Sequence, residues 1–233
     1  MSSAAPEPSR SALDVVFFDV VETLFSLDAV GRRLAEAGAG DGALELWFAR
    51  FLRDGFALAA SGGYQPFRDV AESSLASVLR SRGVDPQPST LDRILAGFGE
   101  LDAHADTRAG LELARSRGAK VITLPNGSAQ MTGRLLERAG LDSLVDARLS
   151  VEETRAWKPR PEPYLAACRA AGVVPERAAL VAVHGWDVHG AAVVGLCTGW
   201  CSRLEGEFAS VFTPPTVRGA TLPDVVDQLV PTG

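Results

Sequence analysis

Four short stretches of the chain carry residues able to do chemistry together: Asp19 in FFDVVETLF, Asn126 in VITLPNGS, Lys158 in WKPRPEPY, and His184 with Asp187 in LVAVHGWD. Alone, an aspartate that closes an apolar run is as well explained as a turn former or a helix cap. Its company favours reactivity. A carboxylate nucleophile needs a fixed cation beside it to stay ionised, and Lys158 is the natural candidate. Asp187 adds a second carboxylate, and His184 an imidazole that titrates near neutrality and suits the activation of water. His189 falls on the following helix and is a weaker candidate, while His104, in a polar linker, is expected at the surface.

These residues converge only if the elements before them share one sheet. Leu13 to Phe18 is short, continuous and rich in Val and Phe, the pattern of a buried strand, and Ala119–Leu124 and Ala178–Val183 repeat it. Two further strands are expected at Ala147–Val151 and Gly195–Cys201, with helices at 111–117, 129–139, 162–171, 186–194 and 222–229 between and after them. Between residues 29 and 101 there is no strand signal; apolar residues recur at helical spacing over 29–37, 44–60, 67–82 and 90–101. The expected fold is α/β, a doubly wound and mainly parallel Rossmann-like sheet built from 13–28 and 102–233, interrupted by an all-helical cap at 29–101. Residues 1–12 are expected to be a flexible leader. In such sheets ligands bind beyond the carboxyl ends of the strands, where Asp19, Asn126 and His184 all fall.

Composition narrows the partners. Among 233 residues, 46% are hydrophobic, enough for a buried core. The net charge is −6 and no run of Lys or Arg could neutralise a phosphate backbone, so nucleic acid is not expected. Cys168, Cys197 and Cys201 match neither a disulfide framework nor a structural zinc site. With no export signal and no apolar run of membrane-spanning length, the expected setting is cytoplasmic, with no membrane partner. The apolar helix holding Leu46, Trp47, Phe51 and Phe56 carries more hydrophobic surface than one core face needs, which suggests a homodimer.

In order and spacing, the four motifs resemble those of the haloacid dehalogenase superfamily, in particular its type II L-2-haloacid dehalogenase branch. The resemblance runs through nearly the whole chain from Val15 onward. It implies Asp19 as the nucleophile, Thr23 as its hydrogen-bond donor, Lys158 as the lysine that holds it ionised, and Asp187 with His184 as the groups that position the lysine or activate water. Around a small 2-haloacid it implies Val20, Val21, Phe48, Phe67, Asn126 and Tyr164. Most phosphatases of the superfamily carry a second aspartate two residues after the nucleophile, which protonates the leaving alcohol. Val21 occupies that position and cannot transfer a proton. A halide leaves as a stable anion and requires none. The implied reaction is attack of Asp19 on the carbon bearing the halogen, followed by hydrolysis of the resulting ester to a 2-hydroxy acid, with no metal and no cofactor.

Several positions depart from that branch. Its cap arginine, which cradles the leaving halide, corresponds to Phe48; Arg50, Arg53 and Arg68 are possible substitutes. Pro125 and Ala182 replace serines, and His184 replaces an asparagine. DVVETL with VHGWD is similar to a subgroup carrying Asp-Val-Asn-Glu-Thr-Leu and Ala-His-Ala-Trp-Asp. Two alternatives stay open at this point: a phosphatase or phosphonatase-like hydrolase recruiting Mg²⁺ through Asp19 and Asp187, and a non-catalytic binding protein on the same scaffold.

Overall fold

The computed structural model describes residues 13–231, and the expected leader lies outside them. Six strands, β1 (Val15–Phe18), β2 (Lys120–Thr123), β3 (Ala147–Arg148), β4 (Ala178–Ala182), β5 (Cys197–Cys201) and β6 (Val217–Gly219), pair in parallel in the order β3-β2-β1-β4-β5-β6. Central β1 is buried at every position because successive side chains of a strand point to opposite faces and both faces are covered. Val16 and Phe18 join Ala179 and Val181 in one core, with Leu111, Leu222 and Val225 packed over them. Val15 and Phe17 join Leu180 and Ala182 in the other, under Tyr164, Ala167, Val188 and Ala191.

Helices supply both covers. From Asp28 to Glu100 the chain is helical: α1 (Asp28–Glu36), α2 (Ala43–Ala60), α3 (Phe67–Ser81), α4 (Pro88–Leu95) and a 3₁₀ turn, Ala96–Glu100. Downstream, α5 (Thr107–Ser116), α6 (Ala129–Arg138), α7 (Pro161–Ala171), α8 (Gly185–Val193) and α9 (Leu222–Leu229) alternate with the strands. Their ends follow ordinary capping chemistry. Ser128 accepts from the Met131 N–H at the start of α6, and Thr221 with Asp224 forms a capping box on α9. Pro161 opens α7 and Gly172, at φ +72°, closes it. The expected 90–101 helix divides into α4 and the 3₁₀ turn, and β6 is a strand the sequence pattern does not announce.

Along α2 the buried positions are Ala43, Trp47, Phe51, Gly55 and Ala59, a stripe at four-residue spacing. Trp47 and Phe51 are wholly enclosed within the chain, and Phe56 meets Trp186 edge-on at 5.0 Å. Of the four residues whose apolar surface suggested a homodimer, Trp47 and Phe51 are spent on the chain's own core, while Leu46 and Phe56 stay half-buried. At Gly55 an added Cβ would lie 2.7 Å from the Trp157 ring, so only glycine lets α2 approach so closely. Trp157 also lies parallel to Phe67, planes 5° apart, and donates from Nε1 to the Gln65 carbonyl at 2.9 Å. Among the described residues no helix is long and apolar enough to cross a membrane.

Candidate active site

The parallel register ends β1, β2 and β4 side by side, Phe18 opposite Thr123 and Val181. The loops that follow therefore leave from one edge and carry Asp19, Asn126 and His184 together. Asp19 fixes its own position by donating its backbone N–H to the Val181 carbonyl at 3.1 Å. Thr23 Oγ1 donates to Asp19 Oδ2 at 2.9 Å while accepting the Val183 N–H at 3.2 Å, tying the first loop to the end of β4. Glu22 turns this loop in the left-handed region, φ +64°, and its Oε1 accepts the Leu27 N–H at 2.6 Å just before α1.

Lys158 is fully buried and its three ammonium hydrogens are all engaged, with Asp19 Oδ1 at 3.0 Å, the Leu124 carbonyl at 2.7 Å and Asp187 Oδ2 at 2.6 Å. Its backbone N–H donates to Asn126 Oδ1 at 2.9 Å, so Asn126 anchors the lysine loop as well as lining the site. Burial alone would raise the Asp19 carboxyl, but the Lys158 charge and then His184 outweigh it and hold the group well below the usual carboxylate range. For Lys158, burial works against the charge, and the two aspartates reverse it, leaving the ammonium more firmly protonated than usual. Burial pushes Asp187 up despite the lysine, and nearby Asp19 adds to that. Lys158 is thus the counter-ion of two buried carboxylates.

Tyr164 stands elsewhere than expected. Its hydroxyl donates to Asp187 Oδ1 at 2.6 Å, and its ring is fully buried in the core beneath α8, so it braces Asp187 and does not line the cavity. A helix starting at Pro161 sends Tyr164 to its buried face, toward the sheet. Val20 is likewise a core side chain outside the cavity lining, whereas Val21 lines it; the backbone N–H of neither carries a hydrogen bond among the described residues. His104 is partly buried and hydrogen-bonds the Glu22 carbonyl at 2.9 Å, in contrast to its expected surface position. His189 pairs with Thr213 and stacks on Phe212, outside the cavity.

A cavity of about 20 Å³ opens against Asp19, lined also by Val21, Asn126, Pro125 and His184, and walled by Phe48, Phe51, Leu52, Phe67 and Trp186. This is room for the centre of little more than one water. None of Arg50, Arg53 or Arg68 lines it; Arg53 pairs with Asp54, and Arg68 with Asp92 and Glu72. A larger cavity of about 270 Å³ lies beyond Phe67, between α3 and α6, and lacks Asp19, Lys158 and His184. Trp186, Phe51 and Leu52 are wall residues that motif spacing did not single out. Trp186 sits between His184 and Asp187 in the fourth motif, the one signal that pointed to it.

The haloacid dehalogenase-like hydrolase family matches residues 13–195. The chain is 31% identical over 204 residues to (S)-2-haloacid dehalogenase 4A of Burkholderia cepacia, covering 85% of this chain and 88% of that one. It is 30% identical to an (S)-2-haloacid dehalogenase of Xanthobacter autotrophicus, covering 84% and 77%. Among solved structures, an L-2-haloacid dehalogenase from Xanthobacter autotrophicus with chloropropionic acid covalently bound is 25% identical, with a TM-score of 0.85 over 95% of this chain and 100% of that one.

Proposed function

This chain belongs to the haloacid dehalogenase-like hydrolase family, and from that premise we propose that it cleaves the carbon–halogen bond of short 2-haloacids through an ester on Asp19. The observation that carries this is Asp19 itself, a carboxylate held ionised by buried Lys158 at the edge of a small, aromatic-walled cavity. A nucleophile in so apolar a space keeps its reactivity because little water competes for it.

Asp19 Oδ2 accepts from both Thr23 and His184, whereas Oδ1 accepts from Lys158 alone and retains a lone pair. Oδ1 is the attacking oxygen. It forms a bond to C2 of the acid as the halogen leaves with the electron pair, inverting that carbon, and the (S) acid is the preferred enantiomer, as in the named relatives. The substrate carboxylate is held by the N–H groups of Val20 and Val21 and by the amide of Asn126. Water then adds to the Asp19 carbonyl, His184 takes its proton, and the 2-hydroxy acid departs. Asp187, braced by Tyr164, keeps Lys158 in place through both steps. Residues 29–101 act as a cap that supplies the Phe48, Phe51, Leu52 and Phe67 walls. A phosphatase is disfavoured by Val21, whose side chain faces the cavity where a leaving alcohol would need an acid.

The test is halide release from fluoroacetate, chloroacetate and both 2-chloropropionate enantiomers, with EDTA present and Asp19→Asn as control. Release that survives EDTA and disappears in the variant is expected. Turnover of a phosphate ester alone, dependent on Mg²⁺, would overturn the proposal.

A further inference from the structure

With Phe48 in the wall and no arginine lining the cavity, a departing halide has no permanent cation to meet there except Lys158, whose hydrogens are all engaged. Two nitrogens of the site are nevertheless idle. His184 Nε2 and Trp186 Nε1 are both buried and both lack a hydrogen-bond partner. A buried N–H left unpaired is costly, so two such atoms on residues lining one cavity call for an acceptor that arrives during the reaction. Their rings stack with centroids 5.2 Å apart and planes 28° apart, and His184 is only 4% exposed.

We propose that His184 Nε2–H and Trp186 Nε1–H form the receptor for the displaced halide, and that His184 then turns from donor to base within the same cycle. This rests on the dehalogenase function proposed above. While Asp19 is a carboxylate, His184 Nδ1 faces its Oδ2 at 3.3 Å, and the doubly protonated imidazolium is the only form that donates from both nitrogens. The charged groups around it are Asp19 on the strand end, Glu22 on the loop after it, Lys158 over the neighbouring Trp186 ring at 6.0 Å, and Glu205, which accepts the adjacent Gly185 N–H; α2 contributes the Phe48 ring. When Asp19 becomes an ester, its negative charge is lost and so is the reason for the imidazolium. The halide leaves with its electron pair and the Nε2 proton is released to solvent. Neutral Nε2 then accepts the proton of the water that cleaves the ester, which restores the carboxylate and the imidazolium together. The balance is haloacid plus water giving hydroxy acid, halide and one proton.

Halide binding can be measured without turnover, from bromide-displaceable broadening of the chloride NMR line. The expected result is binding that falls roughly tenfold or more in Trp186→Phe and in His184→Asn. Trp186→Phe keeps the ring stack and decides the question if His184→Asn does not fold. Binding that is undiminished in Trp186→Phe overturns the receptor. If halide binds as expected but no haloacid releases any, the receptor stands and the dehalogenase function falls; the reverse pattern leaves the function and removes the receptor.

Discussion

Replacing Lys158 with methionine keeps most of the apolar stem, one atom shorter, and removes the cation shared by Asp19 and Asp187. Both carboxylates lie within hydrogen-bond distance of the same nitrogen, at 3.0 and 2.6 Å, and both are buried. Breaking a buried ion pair from one side costs about 3–5 kcal/mol. With the cation gone, burial is left unopposed, so the pair's apparent pKa rises from its depressed position to above the ordinary carboxylate range. The assay is single-turnover ester formation, followed by mass spectrometry of the intact protein from pH 5 to 9. Relative to the unaltered enzyme, the Lys158→Met rate should climb about tenfold per pH unit up to that apparent pKa and then level off. Stability should change sign with it. In the unaltered protein the depressed Asp19 means that the unfolded chain binds more protons in acid, so its contribution is full above about pH 4 and is lost as pH falls. In Lys158→Met the folded state binds more protons, and stability is lost as pH rises from about 4. A rate ratio that stays flat across this range would show that Lys158 does not keep Asp19 ionised.

Two further outcomes follow from the packing. Phe48→Ala removes a half-buried ring from the cavity wall; it should raise kcat/KM for 2-halobutanoate relative to haloacetate by about tenfold or more, with little change in melting temperature, measured by halide release across a chain-length series. Gly190→Ala would place a Cβ 2.6 Å from the Tyr164 hydroxyl and 2.7 Å from Pro159, driving apart α8 and the lysine loop. It should destabilise the fold by about 1–3 kcal/mol in chemical denaturation and slow ester formation, because Tyr164 loses its hold on Asp187.

Much of this architecture was legible because its signals are local. The run VVFF is buried on both faces and reads as a central strand, and the helical periodicity of 44–60 survives intact as α2. β6 was not, since three residues carry no periodicity and Val217–Gly219 is a strand only through its pairing with β5. The break between α4 and the 3₁₀ turn falls where Gly97 and Gly99 weaken the helix, while the apolar spacing runs on. Within the site, reactive residue types could be recognised one at a time, but their hydrogen-bond commitments could not. Tyr164 faces Asp187 because of the rotation of α7, and Asn126 spends its carbonyl on the Lys158 backbone, both of which depend on three-dimensional placement. Trp186 was overlooked because an aromatic residue at the start of a helix ordinarily means core.

Trp157 and Lys158 are consecutive, yet one is clamped between α2 and α3 and the other is threaded to Asp19. Any swing of the helical segment away from the sheet would drag on the lysine, so the helices between residues 28 and 100 and the loop that holds Lys158 against Asp19 are mechanically one piece. For chimeras that exchange caps between relatives, crossovers placed near residues 28 and 102 would cut through that coupling. A transplanted cap would fit this enzyme's lysine loop only if it brought the seat for the indole: a glycine where Gly55 stands, a flat ring at Phe67 and an exposed carbonyl at Gln65.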